Sequence, residues 1–222
     1  MDDLIFYAAL GVVLGGRLGY SLFYGGERLF QDPTWILRVW QGGMSFHGGF
    51  LGVIFAMYLF GKRRKIGFGQ LLDFIAPLVP IGLALGRLGN FIGQELWGRP
   101  SSVPWAMVFP RDPLQLARHP SQLYQFALEG MVLFLLLLWF SSRPRPTWAV
   151  AGVFSLGYGC LRFVVEFFRE PDQHIGFQAL GWMTRGQLLC LPMIALGIYL
   201  IYIAYRRGDT PPASHSKDKS KS

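Results

Sequence analysis

Arg87, Asn90 and Glu95 fall within nine residues, in Gly86-Arg-Leu-Gly-Asn-Phe-Ile-Gly-Gln-Glu-Leu-Trp-Gly98-Arg99. This stretch continues an apolar run that starts near Leu71. A guanidinium near the end of such a run is costly to bury unless it is paired or wetted. The expectation is a polar site at membrane depth, with an anion or a charged lipid as its natural ligand. A second constellation points the same way. Tyr158, Arg162 and Glu166 are spaced i, i+4 and i+8, so they stack on one helical face, and Arg169 extends it by three residues. An Arg162–Glu166 pair could be structural glue alone. Two arginines share that carboxylate, however, and Arg17 and Arg87 lie in other apolar runs. Excess positive charge there asks for an anion, and arginine's planar fork suits phosphate.

His47 sits between glycine pairs in Gly42-Gly-Met-Ser-Phe-His-Gly-Gly49. The glycines imply an irregular or closely approached backbone, a sensible place for a proton acceptor near neutral pH. Gly82, Gly86, Gly89 and Gly93 surround Arg87 and Asn90, and such glycines let another backbone or a ligand come close. His119 lies in Arg118-His-Pro-Ser-Gln-Leu-Tyr124, where Pro120 and Ser121 resemble a helix start; a structural role for Ser121 is expected. His174 and His215 carry no signal.

These residues need elements to hold them. Of the 222 residues, 52% are hydrophobic and only 15% charged, well below the charged share of a soluble domain. The sequence predicts an all-α, polytopic helical membrane protein. Six spans are expected, near 4–24, 45–61, 71–93, 122–141, 148–169 and 187–205, each close to the ~20 residues that cross a bilayer. The first carries Gly11, Gly15 and Gly19, a close-packing face. Residues 1–207 form one membrane domain, and the polar stretch 208–222 reads as a disordered tail.

The net charge of +8 does not indicate nucleic acid, because the charges cluster between apolar runs and not along one face. Cys160 and Cys190 lie in apolar segments and give neither a disulfide framework nor a metal spacing. Basic residues concentrate in 62–69 (Lys62, Arg63, Arg64, Lys65), in 142–147 (Arg143, Arg145) and after 206. These segments are expected to be cytoplasmic, with 25–44, 94–121 and 170–186 outside. The polar clusters, Arg17 excepted, then lie toward the outward halves of their spans, and six spans put both termini inside.

At these residues the chain resembles the bacterial prolipoprotein diacylglyceryl transferases. Arg87-Leu-Gly-Asn-Phe-Ile-Gly-Gln-Glu-Leu-Trp-Gly-Arg99 matches the family signature. The His47 block, Arg118-His-Pro-Ser-Gln-Leu-Tyr124 and Gly157-Tyr-Gly-Cys-Leu-Arg-Phe-Val-Val-Glu-Phe-Phe-Arg169 match three further blocks, in order, from about Leu4 to Arg207. The family usually has Asn-Gly before the signature glutamate where this chain has Gly93-Gln94. It also usually has seven spans, so the resemblance implies a further span, with a tyrosine, before the segment that begins at Met1, and the sequence given is expected to be a fragment or to carry a misplaced start.

The resemblance implies transfer of a diacylglyceryl group from phosphatidylglycerol to the lipobox cysteine of a prolipoprotein signal peptide, forming a thioether and releasing glycerol phosphate. It implies no metal or organic cofactor, and it places the enzyme in the bacterial cytoplasmic (inner) membrane with its site toward the outer leaflet. The residue types suit that chemistry. A thiol with a pKa of about 8.5 needs a base to become a nucleophile. A phosphate leaving group needs cations where charge develops. The expected catalytic residues are His47, Arg162, Tyr158 and Glu166, with His47 the candidate base and Glu166 orienting Arg162. Arg87, Asn90, Glu95, Gly98 and Arg169 are the expected phosphatidylglycerol-binding residues, Arg87 and Arg162 taking the phosphate. The alternative, an anion transporter or channel using the same arginines, requires a polar path through both leaflets, and the polar residues here concentrate on one side.

Overall fold

A computed structural model describes residues 2–26, 31–170, 177–179 and 181–208. The predicted tail from 209 onward and His174 lie outside these residues. All six expected helical segments form. They are α1 (Asp2–Tyr24), α2 (Phe46–Arg64), the pair α3 (Phe68–Ile75) and α4 (Val79–Ile92), the pair α5 (Ser121–Gln125) and α6 (Leu133–Ser141), α7 (Ala149–Val165) and α8 (Arg185–Arg207). Among the described residues, four segments are long and apolar enough to cross a membrane: Asp2–Phe23, Phe68–Ile92, Ser121–Ser141 and Arg185–Arg207. Ala149–Val165 is apolar but shorter. Phe46–Arg64 is not among them; it opens on His47, Gly48 and Gly49 and closes on Lys62, Arg63 and Arg64.

The chain divides into two compact units, Met1–Leu71 and Leu72–Ser222. In the first, α1 lies against α2 along the predicted glycine face. A Cβ on Gly11 would sit 2.7 Å from the Gly52 carbonyl oxygen, and one on Gly19 would sit 2.7 Å from the Gly48 Cα. Only hydrogen fits at such a crossing. Arg17 is 2% exposed. Its guanidinium donates to the carbonyls of Trp35, Ile36, Gly42 and Gly43 and lies 4.7 Å from the Trp35 ring. Arg17 therefore ties down the segment between α1 and α2.

The long apolar segment Phe68–Ile92, which belongs to the second unit from Leu72 onward, is interrupted by a 3₁₀ turn at Ala76–Leu78. Pro77 and Pro80 lack the N–H groups that an unbroken helix would use there. Segment 121–141 is interrupted by a π-helical turn, Phe126–Val132. Ala76, Leu133, Leu137 and Val150 form the apolar core. The Asp73 carboxylate accepts hydrogen bonds from the Trp148 and Ala151 backbone N–H groups at 2.6 and 2.8 Å, satisfying the start of α7. Helices α7 and α8 touch at Gly152, Gly159 and Gly197, and Ser155 Oγ donates to the Met193 carbonyl at 2.8 Å.

The segments that join these helices fold on one another. Strands β1 (Met107–Val108) and β2 (Ala117–Arg118) pair antiparallel. A second small pair, β3 (Phe177–Ala179) and β4 (Met183–Thr184), precedes α8. Gly98 N–H donates to the His119 carbonyl and Arg99 N–H to the Phe168 carbonyl, at 2.9 and 3.0 Å.

Candidate functional site

Arg87 is placed by helix packing. A Cβ on Gly130 would fall 2.6 Å from the Ala84 Cβ, so the π turn lies directly on α4 there. Arg87 is one turn beyond Ala84, and Glu129 precedes Gly130. The guanidinium of Arg87 thus lies 3.4 Å from Glu129 Oε2. Glu129 Oε1 lies 3.4 Å from Arg162 Nη1 on α7. Arg162 Nη2 in turn lies 2.6 Å from Glu166 Oε2, and Arg169 Nη1 lies 3.5 Å from Glu166 Oε1. Three guanidinium groups and two carboxylates therefore alternate in one buried chain, Arg87–Glu129–Arg162–Glu166–Arg169. Both carboxylates are almost wholly buried, whereas the arginine side chains keep 12–20% exposure.

The predicted Arg162–Glu166 pair is present, and so is the sharing of Glu166 with Arg169. The positive charge is less bare than the sequence suggested, because Glu129 is a second carboxylate. The array still keeps one net positive charge. Sequence reasoning missed Glu129, although it is the lone charged residue of the Ser121–Ser141 segment, which is itself a functional signal. π turns inside α-helices also occur often at functional sites.

Glu166 is clamped from α8. Thr184 Oγ1 donates to Glu166 Oε1 at 3.0 Å. Thr184 is also the N-cap of α8 and exchanges hydrogen bonds with Gln187 in a capping box. Gly186 leaves no room: a Cβ there would lie 2.6 Å from Glu166 Oε1. Tyr158 stacks on Phe154 with ring centroids 6.0 Å apart, and its hydroxyl interacts electrostatically with Glu129, Arg162 and Arg87. The structure thus brings Arg87, Tyr158, Arg162, Glu166 and Arg169 together.

Asn90 is half-buried on α4, one turn beyond Arg87. Its carbonyl accepts from the Glu95 N–H at 2.9 Å. The Glu95 side chain is exposed, and its carbonyl accepts from Gln122 Nε2 at 2.6 Å. Gly98 is buried where three segments meet: a Cβ would lie 2.5 Å from the His119 carbonyl oxygen and 2.6 Å from that of Phe168. Its place is a seam in the loops. Gln94 adopts φ +54°, a left-handed conformation. Its side chain accepts from the Arg111 N–H at 3.0 Å.

The glycines beside Arg87 carry no packing contact. Around Gly82, Gly86 and Gly89, apart from the adjoining backbone of their own helix, no atom of the described residues lies within 4 Å of an added Cβ. Among the described residues, no other backbone approaches them. Ser121 has the expected structural role, donating to the Leu96 carbonyl at 3.0 Å. His119 Nδ1 lies 3.0 Å from the Tyr124 hydroxyl, within a cluster that includes Phe168.

Arg118 organises the loops. It is 3% exposed and grips Asp112 with both sides of its fork, at 2.6 and 3.2 Å. It also reaches Glu170 and the Gly98 carbonyl, both at 3.3 Å. The Arg118 fork holds the Asp112 carboxyl below the usual carboxylate range, against a smaller opposing effect of burial.

His47 belongs to the first unit. It lies in the first turn of α2, after the N-cap Ser45, and is exposed. Among the described residues, no group of three or more His, Cys, Asp or Glu side chains could hold a metal ion.

Comparison with known proteins agrees with the motifs. Residues 1–203 match the family described as "Prolipoprotein diacylglyceryl transferase". A relative from Teredinibacter turnerae, named phosphatidylglycerol–prolipoprotein diacylglyceryl transferase, is 63% identical over 206 residues, covering 93% of this chain and 72% of its own. Relatives of the same name from Pseudomonas entomophila and Pseudomonas putida are 59% and 60% identical, covering 96% and 95% of this chain and 80% and 79% of their own. The chain belongs to the prolipoprotein diacylglyceryl transferase family.

Proposed function

We propose that this protein transfers the diacylglyceryl group of phosphatidylglycerol to the lipobox cysteine of a prolipoprotein, the first step of lipoprotein maturation. The observation that carries the reading is the Arg87–Glu129–Arg162–Glu166–Arg169 array. Its single net positive charge matches one phosphodiester anion. Arg87 and Arg162 hold the phosphate, and the long pairs to Glu129 leave their forks donors to spare. Asn90 and Glu95 border the glycerol headgroup, and Gly98 keeps the loop carrying Glu95 tightly seated. Arg169 contributes through Glu166.

In the reaction, a base takes the cysteine proton, and the thiolate attacks the glyceryl carbon that bears the phosphate oxygen. The carbon–sulfur bond forms as the carbon–oxygen bond breaks, and its electron pair leaves on glycerol phosphate. Charge therefore builds on the phosphate, where Arg87 and Arg162 are already oriented by buried carboxylates. His47 is the proposed base, with Tyr158 beside the array. Both acyl chains stay in hydrocarbon throughout, so lipid and product pass laterally between helices.

The site belongs toward the outer leaflet of the bacterial inner membrane, with the C-terminus cytoplasmic. Lysine and arginine clustering in 62–69, 142–147 and the tail supports that orientation. The test gives the purified protein phosphatidylglycerol and a lipobox peptide. A diacylglyceryl mass adduct on the cysteine is expected, and its absence overturns the reading.

A further inference from the structure

Two amide side chains of α5 are buried deeply and incompletely bonded. Gln122 and Gln125 are 0% and 1% exposed. Among the described residues, neither amide atom of Gln125 has a hydrogen-bond partner, and the Gln122 Oε1 has none. The Gln122 Nε2 donates to the Glu95 carbonyl. Burying an amide without partners forfeits its hydration and returns nothing, so such groups in a protein interior need a purpose. Leucine or methionine would fill the same volume without that loss.

Their position supplies the purpose. Gln122, Gln125 and Glu129 follow one another at three- and four-residue intervals, and all three are buried, which places them on the inward side of the segment. That side ends at the Glu129 carboxylate, between Arg87 and Arg162. Gln125 stands four residues before Glu129, immediately ahead of the π turn that carries the carboxylate.

We propose that Gln125, assisted by Gln122, is the hydroxyl-reading subsite for a vicinal diol carried on that phosphate. An amide offers a donor and an acceptor side by side, and each hydroxyl of a glycerol headgroup both donates and accepts. The proposal rests on the diacylglyceryl transferase reading and deepens it. The arginines recognise any phosphodiester lipid, whereas the amides select a glycerol headgroup. A site built to bond a hydroxyl discriminates strongly against an analogue lacking it.

The test compares phosphatidylglycerol with phosphatidylpropanol, which has the same phosphate and chain but no diol. Two readouts are needed: the rate of adduct formation on a lipobox peptide, and stabilisation of the detergent-purified protein by each lipid in thermal unfolding. The wild type should prefer phosphatidylglycerol at least about tenfold in kcat/KM and be stabilised more by it. Gln125→Met, which keeps volume and removes both polar atoms, should reduce that ratio to near one. Gln125→Asn, which keeps the amide but shortens its reach, should fall between. An unchanged ratio in Gln125→Met, or no headgroup preference in the wild type, overturns the proposal. Should Gln125→Met not yield folded protein, Gln125→Asn and Gln122→Met carry the same comparison. Absence of any adduct with the wild type refutes the transferase reading, while differential stabilisation by the two lipids still tests the subsite.

Discussion

The Glu129 carboxylate lies 3.4 Å from the Arg162 guanidinium, across from a different helix, while Arg162 is held at 2.6 Å by Glu166 from its own. Glu129 also faces Arg87 at the same 3.4 Å. One wholly buried carboxylate therefore sets the spacing of the two arginines proposed to bind phosphate. Glu129→Gln keeps the volume and removes the charge. It leaves Arg87 and Arg162 to repel each other, so about 3 kcal/mol of stability should be lost, seen as a lower melting temperature. Turnover should fall on the order of 100-fold, since misplacing a clamp costs about that much.

Arg87→Ala and Arg162→Ala should each cut adduct formation by ~100-fold or more with the protein still inserted in membranes. Lysine at either position should restore only part of the loss, because a point charge cannot reproduce the planar fork. Arg162→Lys should be the weaker rescue, since Arg162 must reach both Glu129 and Glu166. His47→Gln separates base from clamp: its rate deficit should shrink as the pH rises and the thiol ionises by itself, whereas the arginine variants should show no such recovery. A near-normal rate at neutral pH removes His47 as the base.

Thr184 acts at one remove, through Glu166. Its hydroxyl donates to Glu166 and accepts from the Gln187 N–H. Thr184→Val should cost about 1 kcal/mol for the lost cap, with turnover reduced roughly tenfold as Glu166 loosens its hold on Arg162. Thr184→Ser keeps both bonds and should restore turnover, a rescue that tests the hydroxyl directly. Gly186→Ala should be more damaging than Thr184→Val, because its methyl meets the Glu166 carboxylate.

These relationships were legible in the sequence to different degrees. The six helical segments follow from apolar runs, and the α1 glycine face from a four-residue repeat. Glu166 pairs with Arg162 because i, i+4 spacing in a helix leaves little freedom. Such features are local. The Glu129 contacts are not, since they require knowing that Gly130 packs on Ala84 and that the helix widens into a π turn there. The carbonyl partners of Arg17 depend on the path of the 35–43 loop, which no periodicity encodes. Gly82, Gly86 and Gly89 look like the packing glycines of α1, yet among the described residues nothing packs on them. Small residues report that a close approach is possible, and the tertiary arrangement decides whether one occurs.

Gln94 makes the family departure at 93–94 testable. Its φ of +54° suits glycine, and the Asn-Gly usual in the resembling family would place one there. The strain of a side chain in this region is ~1 kcal/mol. The hydrogen bond from the Arg111 N–H to the Gln94 side chain offsets about that amount. Gln94→Gly should thus change stability by less than about 1 kcal/mol, losing strain and bond together. Gln94→Ala keeps the strain and loses the bond, so it should be less stable by about 1 kcal/mol in denaturant or thermal unfolding.

The Asp112–Arg118 pair predicts an acid limit for the loops that carry Glu95 and Gly98. The folded-state pKa of Asp112 is depressed, chiefly by the hydrogen bonds from Arg118. Its ionised form therefore contributes stability above the unfolded value of about 3.9. That contribution is lost as the pH falls through the lower folded value. Amide hydrogen exchange across residues 97–119 should stay slow from neutral pH down to about pH 4 and then accelerate, relative to the helices, on further acidification. Asp112→Asn should exchange faster in the same segment at neutral pH, because Arg118 then loses its bidentate carboxylate partner and keeps Glu170 as its remaining carboxylate. Its exchange should also respond less to acid, since the group that titrates is gone. Equal acid profiles in the two proteins would mean that another carboxylate, such as Glu170, governs the loops.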